Sequence, residues 1–157
     1  PDKQTLLAAI AIEGFEELAR RLTETSESNA GTEERFIEMG ATYAGFAQDF
    51  PVHYQLMFGA VLGDFSASKA LQEASASSYA VLDATLTEIK NNQHLDHDVA
   101  RLGGLVWSTV HGMASLVLNV PTARKPKAAD AAPRQAVKSI REDMRAALKI
   151  VYRGMTR

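Results

Sequence analysis

The sequence predicts an all-α fold of six helices packed as one bundle, and three observations predict it. Apolar residues recur at spacings of three and four along almost the whole chain. Residues that cap or break helices (Asp2, Pro51, Asp96, Pro133) fall at the ends of those periodic stretches. No stretch alternates with the period of two that a strand needs, and no internal repeat is present. A chain of 157 residues suits a single domain. At this length folding buries about 70% of the extended chain's surface, so no disulfide or metal staple is required.

The first helix is expected from Asp2, its N-cap, to about Thr23, with Leu7, Ala11, Phe15, Leu18 and Leu22 on one face. The Ser/Glu/Asn/Gly stretch to Gly31 reads as a loop. A second helix starts near Thr32, with Glu33 and Glu34 in its electropositive first turn and a stripe of Phe36, Met39, Tyr43, Phe46 and Phe50. Pro51 disfavours helical geometry at Phe50 and ends it. A short third helix fits Pro51 to Phe58, with Pro at its first position. Gly59 and Gly63 interrupt the pattern. A fourth helix runs from about Ser66 to Lys90, with Leu71, Ser78, Leu82 and Ile89 on one side, and closes in a turn over Asn91 to His94. A fifth, capped by Asp96, reaches Val120. It carries two stripes, Leu102/Val106/Val110/Met113/Val117 and Trp107/His111/Ala114/Leu118, and a helix apolar on most sides must be covered on most sides. The Ala/Pro/Lys segment from Pro121 to Pro133 reads as a solvated connection. The sixth helix begins near Pro133 with Val137, Ile140, Met144, Leu148 and Val151 aligned.

Composition excludes several classes. Lys and Arg total 17 against 19 Asp and Glu, a formal charge of -2, so no basic face for gripping nucleic acid is indicated. There is no cysteine, hence no disulfide framework or thiolate chemistry, which fits a cytoplasmic protein. The apolar run Leu102 to Val120 is interrupted by Ser108, Thr109, His111, Ser115 and Asn119, a poor membrane span, and no membrane partner is expected. Neither a di-iron Glu-x-x-His pair, a phosphate loop, a His-Glu-x-x-His nor a Gly-x-Ser-x-Gly is present. The expectation is therefore a protein that is not an enzyme and takes no cofactor. His94 and His97 with Asp96 and Asp98 could hold a surface metal, but a solvated turn with an Asp cap explains them, and no metal is expected. Arg124, Lys125 and Lys127 read as part of a soluble linker, and His53 is given no role.

The chain opens Pro1-Asp2-Lys3 without an initiator Met and enters a helix at once, which reads as a fragment starting inside a longer protein. Pro1-Asp2-Lys3-Gln4-Thr5-Leu6-Leu7 resembles the segment just after the recognition helix of tetracycline-repressor (TetR) family regulators. Phe50-Pro51-Val52-His53-Tyr54-Gln55-Leu56-Met57-Phe58 resembles the short helix after a Pro in one subgroup of that family. Trp107-Ser108-Thr109-Val110-His111-Gly112-Met113-Ala114-Ser115-Leu116 is similar to that subgroup's Trp…His-Gly signature. The resemblance covers essentially the whole chain and implies a two-part bacterial transcriptional repressor. Its DNA-reading helix-turn-helix head, N-terminal to residue 1 and absent here, would alone contact operator DNA. Its body, this chain, would bind a small hydrophobic or aromatic effector, and its last two helices would form a four-helix interface in a homodimer.

From the residues themselves, the last two helices carry more apolar face than a small monomer needs. Either neighbouring helices of the same chain cover it, or a second copy does through a twofold interface. The interface set expected is Val106, Val110, Met113, Val117, Ile140, Met144 and Leu148. Aromatic and Met side chains gather mid-chain. Tyr43, Phe46, Tyr54, Met57, Phe58, Trp107 and His111 are expected to contribute to an effector cavity, an aromatic stripe as plain core being the alternative for each. Gly103, Gly104 and Gly112 suggest close helix approach. The competing reading is a helical adaptor that binds a protein through an open apolar groove and has no cavity.

Overall fold

The structure, a computed structural model, describes residues 2–28, 30–59, 68–120 and 131–157. Gly63, the expected fourth-helix start at Ser66, and residues 121–130 with Arg124, Lys125 and Lys127 lie outside the described residues. Seven helices and no strand are found among the described residues. They are α1 (Lys3–Ser26), α2 (Thr32–Asp49), α3 (Pro51–Phe58), α4 (Lys69–Gln93), α5 (Val99–Asn119), α6 (Ala131–Glu142) and α7 (Met144–Met155).

Each boundary has a local cause. Asp2 caps α1, its carboxylate accepting from Thr5 N at 2.8 Å. Pro51 separates α2 from α3 and occupies the first turn of α3. Ser68 caps α4 by accepting from Leu71 N. At the end of α4, His94 takes the left-handed conformation (φ 54°) that closes a helix, so the helix continues past Lys90 through the expected turn. The cap of α5 is Asp98, which accepts from Arg101 N at 2.7 Å, and not Asp96. The expected sixth helix is divided. Asp143 leaves helical geometry (φ -144°, ψ 72°) and its carboxylate accepts from Ala146 N at 2.9 Å, so α7 starts afresh with Asp143 alone between it and α6.

α2 is the central element. Phe36, Ile37, Met39, Gly40, Tyr43, Ala44, Phe46 and Ala47 are all buried, so it is covered on more than one side. It packs against α1, α3, α5 and α7, while α4 lies along α1 and α5. Two glycines permit close approaches that a side chain would forbid. A methyl group at Gly14 of α1 would stand 2.6 Å from Met57 Sδ of α3. One at Gly40 of α2 would stand 2.5 Å from a methyl of Leu148 in α7, a side chain with no solvent exposure. α6 is tied to the C-terminal end of α5 by Arg141, whose guanidinium donates to the carbonyls of Val117 (2.6 Å) and Val120 (2.9 Å). On the outside of α7, Arg145 bridges Glu34 and Glu38 of α2. No helix of the described residues is long and apolar enough to cross a membrane.

Candidate functional site

Five helices leave a hollow between them. α1 supplies Phe15, Leu18 and Leu22; α2 supplies Phe36, Met39, Gly40 and Tyr43; α3 supplies Phe58. α4 adds Ser75, Ser78, Tyr79, Leu82 and Thr85, and α5 adds Val106, Trp107 and Val110. The volume of the hollow is about 90 Å³. Tyr79 and Trp107 are the exposed members of the lining, at 36% and 41%. Their rings meet edge to face at 6.4 Å, so the solvent side of the hollow lies between α4 and α5.

Phe58 is the aromatic hub of one wall. Its ring lies 5.6 Å from Phe15, 6.3 Å from Tyr43, 5.1 Å from Tyr54, 6.4 Å from Trp107 and 4.8 Å from His111. Behind it is a polar corner. Tyr43 Oη and Tyr54 Oη each lie 2.9 Å from His111 Nδ1, and Tyr54 Oη lies 3.1 Å from Ser115 Oγ. Burial pushes the His111 pKa down and both phenol pKa values up, so all three groups are neutral at pH 7. Two hydroxyls converging on Nδ1 favour the tautomer protonated at Nε2, which leaves one lone pair between them. The His111 carbonyl, 3.3 Å from Tyr54 Oη, completes the set. The corner can hold rings in place and accept or donate neutral hydrogen bonds. Among the described residues no group of three or more acidic, His or Cys side chains is arranged to hold a metal ion.

Of the seven residues expected at an effector site, Tyr43, Phe58 and Trp107 line the hollow. Tyr54 and His111 stand directly behind the lining. Phe46 and Met57 are not lining residues. Phe46 stacks on Phe50 at 5.4 Å, and Met57 fills the space beneath Gly14. Sequence reasoning named no residue of the α4 wall for the site. Its signal was present: Ser78 stands in an apolar stripe beside Leu71, Leu82 and Ile89, and Ser75 and Thr85 continue that face at helical spacing.

The members of the expected interface set differ in exposure. Val106, Val110, Val117 and Leu148 are buried within the protomer, and Met113, Ile140 and Met144 are half-buried. The face α5 turns outward carries Gly104, Leu105, Ser108, Gly112 and Leu116, with Leu105 55% and Leu116 49% exposed. Of the three glycines expected at close helix contacts, only Gly103 meets one within the protomer, against the Tyr79 hydroxyl. Gly104 and Gly112 face open space.

Comparison with known proteins follows the same outline. The family described as "Tetracyclin repressor-like, C-terminal domain" matches residues 36–140. No curated protein sequence matches the chain. Among solved structures, a protein of unknown function from Rhodococcus sp. RHA1 superposes with a TM-score of 0.79 at 24% identity, over 100% of this chain and 75% of that one. That likeness establishes a shared fold.

Proposed function

The chain belongs to the tetracyclin repressor-like C-terminal domain family, and from that premise we propose that it is the effector-sensing and dimerising body of a transcriptional repressor. The observation that carries this reading is the hollow among α1, α2, α3, α4 and α5, mostly apolar and backed by the Tyr43–Tyr54–His111 corner. Ligand sites combine an apolar cavity with a few placed polar groups, and this one has both. A filled core with only an open groove would have favoured a protein-binding adaptor.

In this reading a small hydrophobic or aromatic effector enters between α4 and α5, past Tyr79 and Trp107. It acts only through a difference in affinity between two arrangements of the body, with coupling of ~1–3 kcal/mol typical of such systems. α1 supplies Phe15, Leu18 and Leu22 to the hollow, and it is the helix that would carry a DNA-reading head. A shift of α1 changes the separation of two heads in a dimer, which must match half-sites ~34 Å apart. The dimer forms through the outer faces of α5 and α7. Gly104, Ser108 and Gly112 are small residues spaced by four beside Leu105 and Leu116, a surface that lets a twofold-related helix approach closely. Ile150, 74% exposed on α7, extends the apolar area.

A thermal-shift screen with small hydrophobic compounds tests the sensor reading, with emission of Trp107, the sole tryptophan, as second readout. A ligand at a hundredfold excess over its Kd adds ~2.7 kcal/mol of stability. Hits that raise Tm and change Trp107 emission together support it. A screen in which no compound does both rejects it.

A further inference from the structure

Resting on the reading of the hollow as an effector site, the geometry points to the chemistry of the effector: an uncharged molecule with an aromatic or aliphatic body and one hydrogen-bond donor, an O–H or N–H, which it delivers to the α4 wall at Ser78 or Thr85.

Charge is decided by what the wall lacks. Among the described residues the lining contains no Asp, Glu, Lys, Arg or His. An ionised effector would leave water without a counter-charge, a cost that ordinary apolar contact does not offset. The polar atoms that are present decide the rest. A hydroxyl has one hydrogen and two lone pairs. Ser78 Oγ spends its hydrogen on the Ser75 carbonyl at 2.8 Å. Thr85 Oγ1 spends its hydrogen on the Val81 carbonyl at 3.0 Å, with Met39 Sδ at 3.2 Å as a weaker alternative. Both residues are 7% exposed, so bulk water does not occupy the remaining lone pairs. Tyr79 and Trp107 stand at the solvent side of the hollow, 36% and 41% exposed, where water competes for their polar atoms. At Ser78 and Thr85 the wall therefore offers acceptors. The two oxygens sit on one face of α4 two turns apart, ~10.5 Å along the axis, so a small effector meets one of them. The body of the effector lies against Phe15, Leu18, Leu82 and Val110.

Three probes of nearly equal size separate these features: 4-ethylphenol, its isomer 4-methylanisole, and 4-methylbenzoate. The first donates, the second only accepts, and the third is an anion. Binding is followed on the full chain by Trp107 emission and by Tm. The expected result is that 4-ethylphenol binds about tenfold more tightly than 4-methylanisole, as one additional satisfied hydrogen bond allows, and that 4-methylbenzoate does not bind. Thr85→Val and Ser78→Ala, which keep shape or nearly so, are then measured with both isomers. One of the two is expected to reduce the preference to about onefold to twofold. Equal binding of the isomers, binding of the anion, or a preference that survives both substitutions overturns the inference and leaves the effector-site reading standing. No response to any of the three, in a protein that also fails the wider screen, overturns both.

Discussion

Tyr54 and His111 meet in two ways at once: their rings stack with centroids 5.3 Å apart and planes 23° from parallel, and Tyr54 Oη lies 2.9 Å from His111 Nδ1. One residue is on the eight-residue α3 and the other is midway along α5. The pair therefore fastens the short helix bearing Phe58 to the helix bearing Trp107. Tyr43, from α2, reaches the same nitrogen.

Because one lone pair serves two hydroxyls, removing both has an effect that is not the sum of the two single removals. Tyr54→Phe is expected to cost about 1 kcal/mol and Tyr43→Phe about the same. For a chain of this size that is a fall in Tm of about 2–4 °C each. The double variant is expected to depart from the sum by about 0.5 kcal/mol or more. Thermal or chemical unfolding of the three variants measures it. Strict additivity would mean that the hydroxyls do not share an acceptor.

The buried imidazole also makes stability depend on pH in a stated direction. Burial lowers the folded-state pKa of His111, so the unfolded chain binds the proton more readily. The contribution is fully present above the ordinary histidine pKa of about 6.5 and is lost as pH falls through the lowered folded value. Glu17, held down to about 2 by Arg20 and Arg21, keeps its contribution above the usual carboxylate pKa of about 4.3 and loses it only as pH falls from there. Unfolding midpoints between about pH 8 and pH 5.5 therefore separate the two. The wild-type chain is expected to lose more stability over that interval than His111→Gln. Parallel curves would contradict the assignment.

The sequence made α3 legible to its last residue, because Pro51 and Gly59 bracket it and each acts on its own backbone. It could not reveal the break at Asp143, because Ile140, Met144 and Leu148 keep their four-residue spacing straight through it. α5 was the harder case. All three of its faces are apolar or small, so periodicity could not say which one turns inward. The valine stripe went to the core, Trp107 and His111 went to the cavity side, and the Gly/Ser/Leu face that reads as least hydrophobic is the one left outside. The hydroxyls of the α4 wall were visible only as a serine out of place in an apolar stripe. Their meaning depends on a hollow that no local pattern encodes.

Gly40 and Gly45 lie on the same helix and are expected to respond to Ala in opposite directions. At Gly40 the new methyl group would stand 2.5 Å from Leu148, which is fully buried and would have to shift within the core. Overpacking of that kind costs about 1–3 kcal/mol. At Gly45 the methyl group meets nothing within 4 Å, and Ala is favoured over Gly in a helix interior by up to about 1 kcal/mol. Gly40→Ala should lower Tm, and it should also alter Trp107 emission, since Gly40 lines the cavity. Gly45→Ala should raise Tm and leave emission unchanged. A Gly40→Ala chain as stable as wild type would mean that α7 moves freely over α2.

The outward face of α5 offers a test of assembly that leaves the protomer intact. Leu105 and Leu116 are about half exposed and eleven residues apart, three helical turns along one face. A carboxylate at either position stays in water in a monomer, so substitution there should change protomer stability by no more than about 0.5 kcal/mol. In a twofold pair the same carboxylate would be pressed against the partner and, near the axis, against its own copy, which is strongly unfavourable. Leu105→Glu and Leu116→Glu are therefore expected to convert a dimer to a monomer in size exclusion or native mass spectrometry at micromolar concentration, with far-UV helicity retained. Ile150→Glu on α7 should weaken the assembly in the same direction. If the wild-type chain is dimeric and all three variants remain so, the interface lies on some other face. If the wild-type chain is itself monomeric at that concentration, the dimer reading fails for this body.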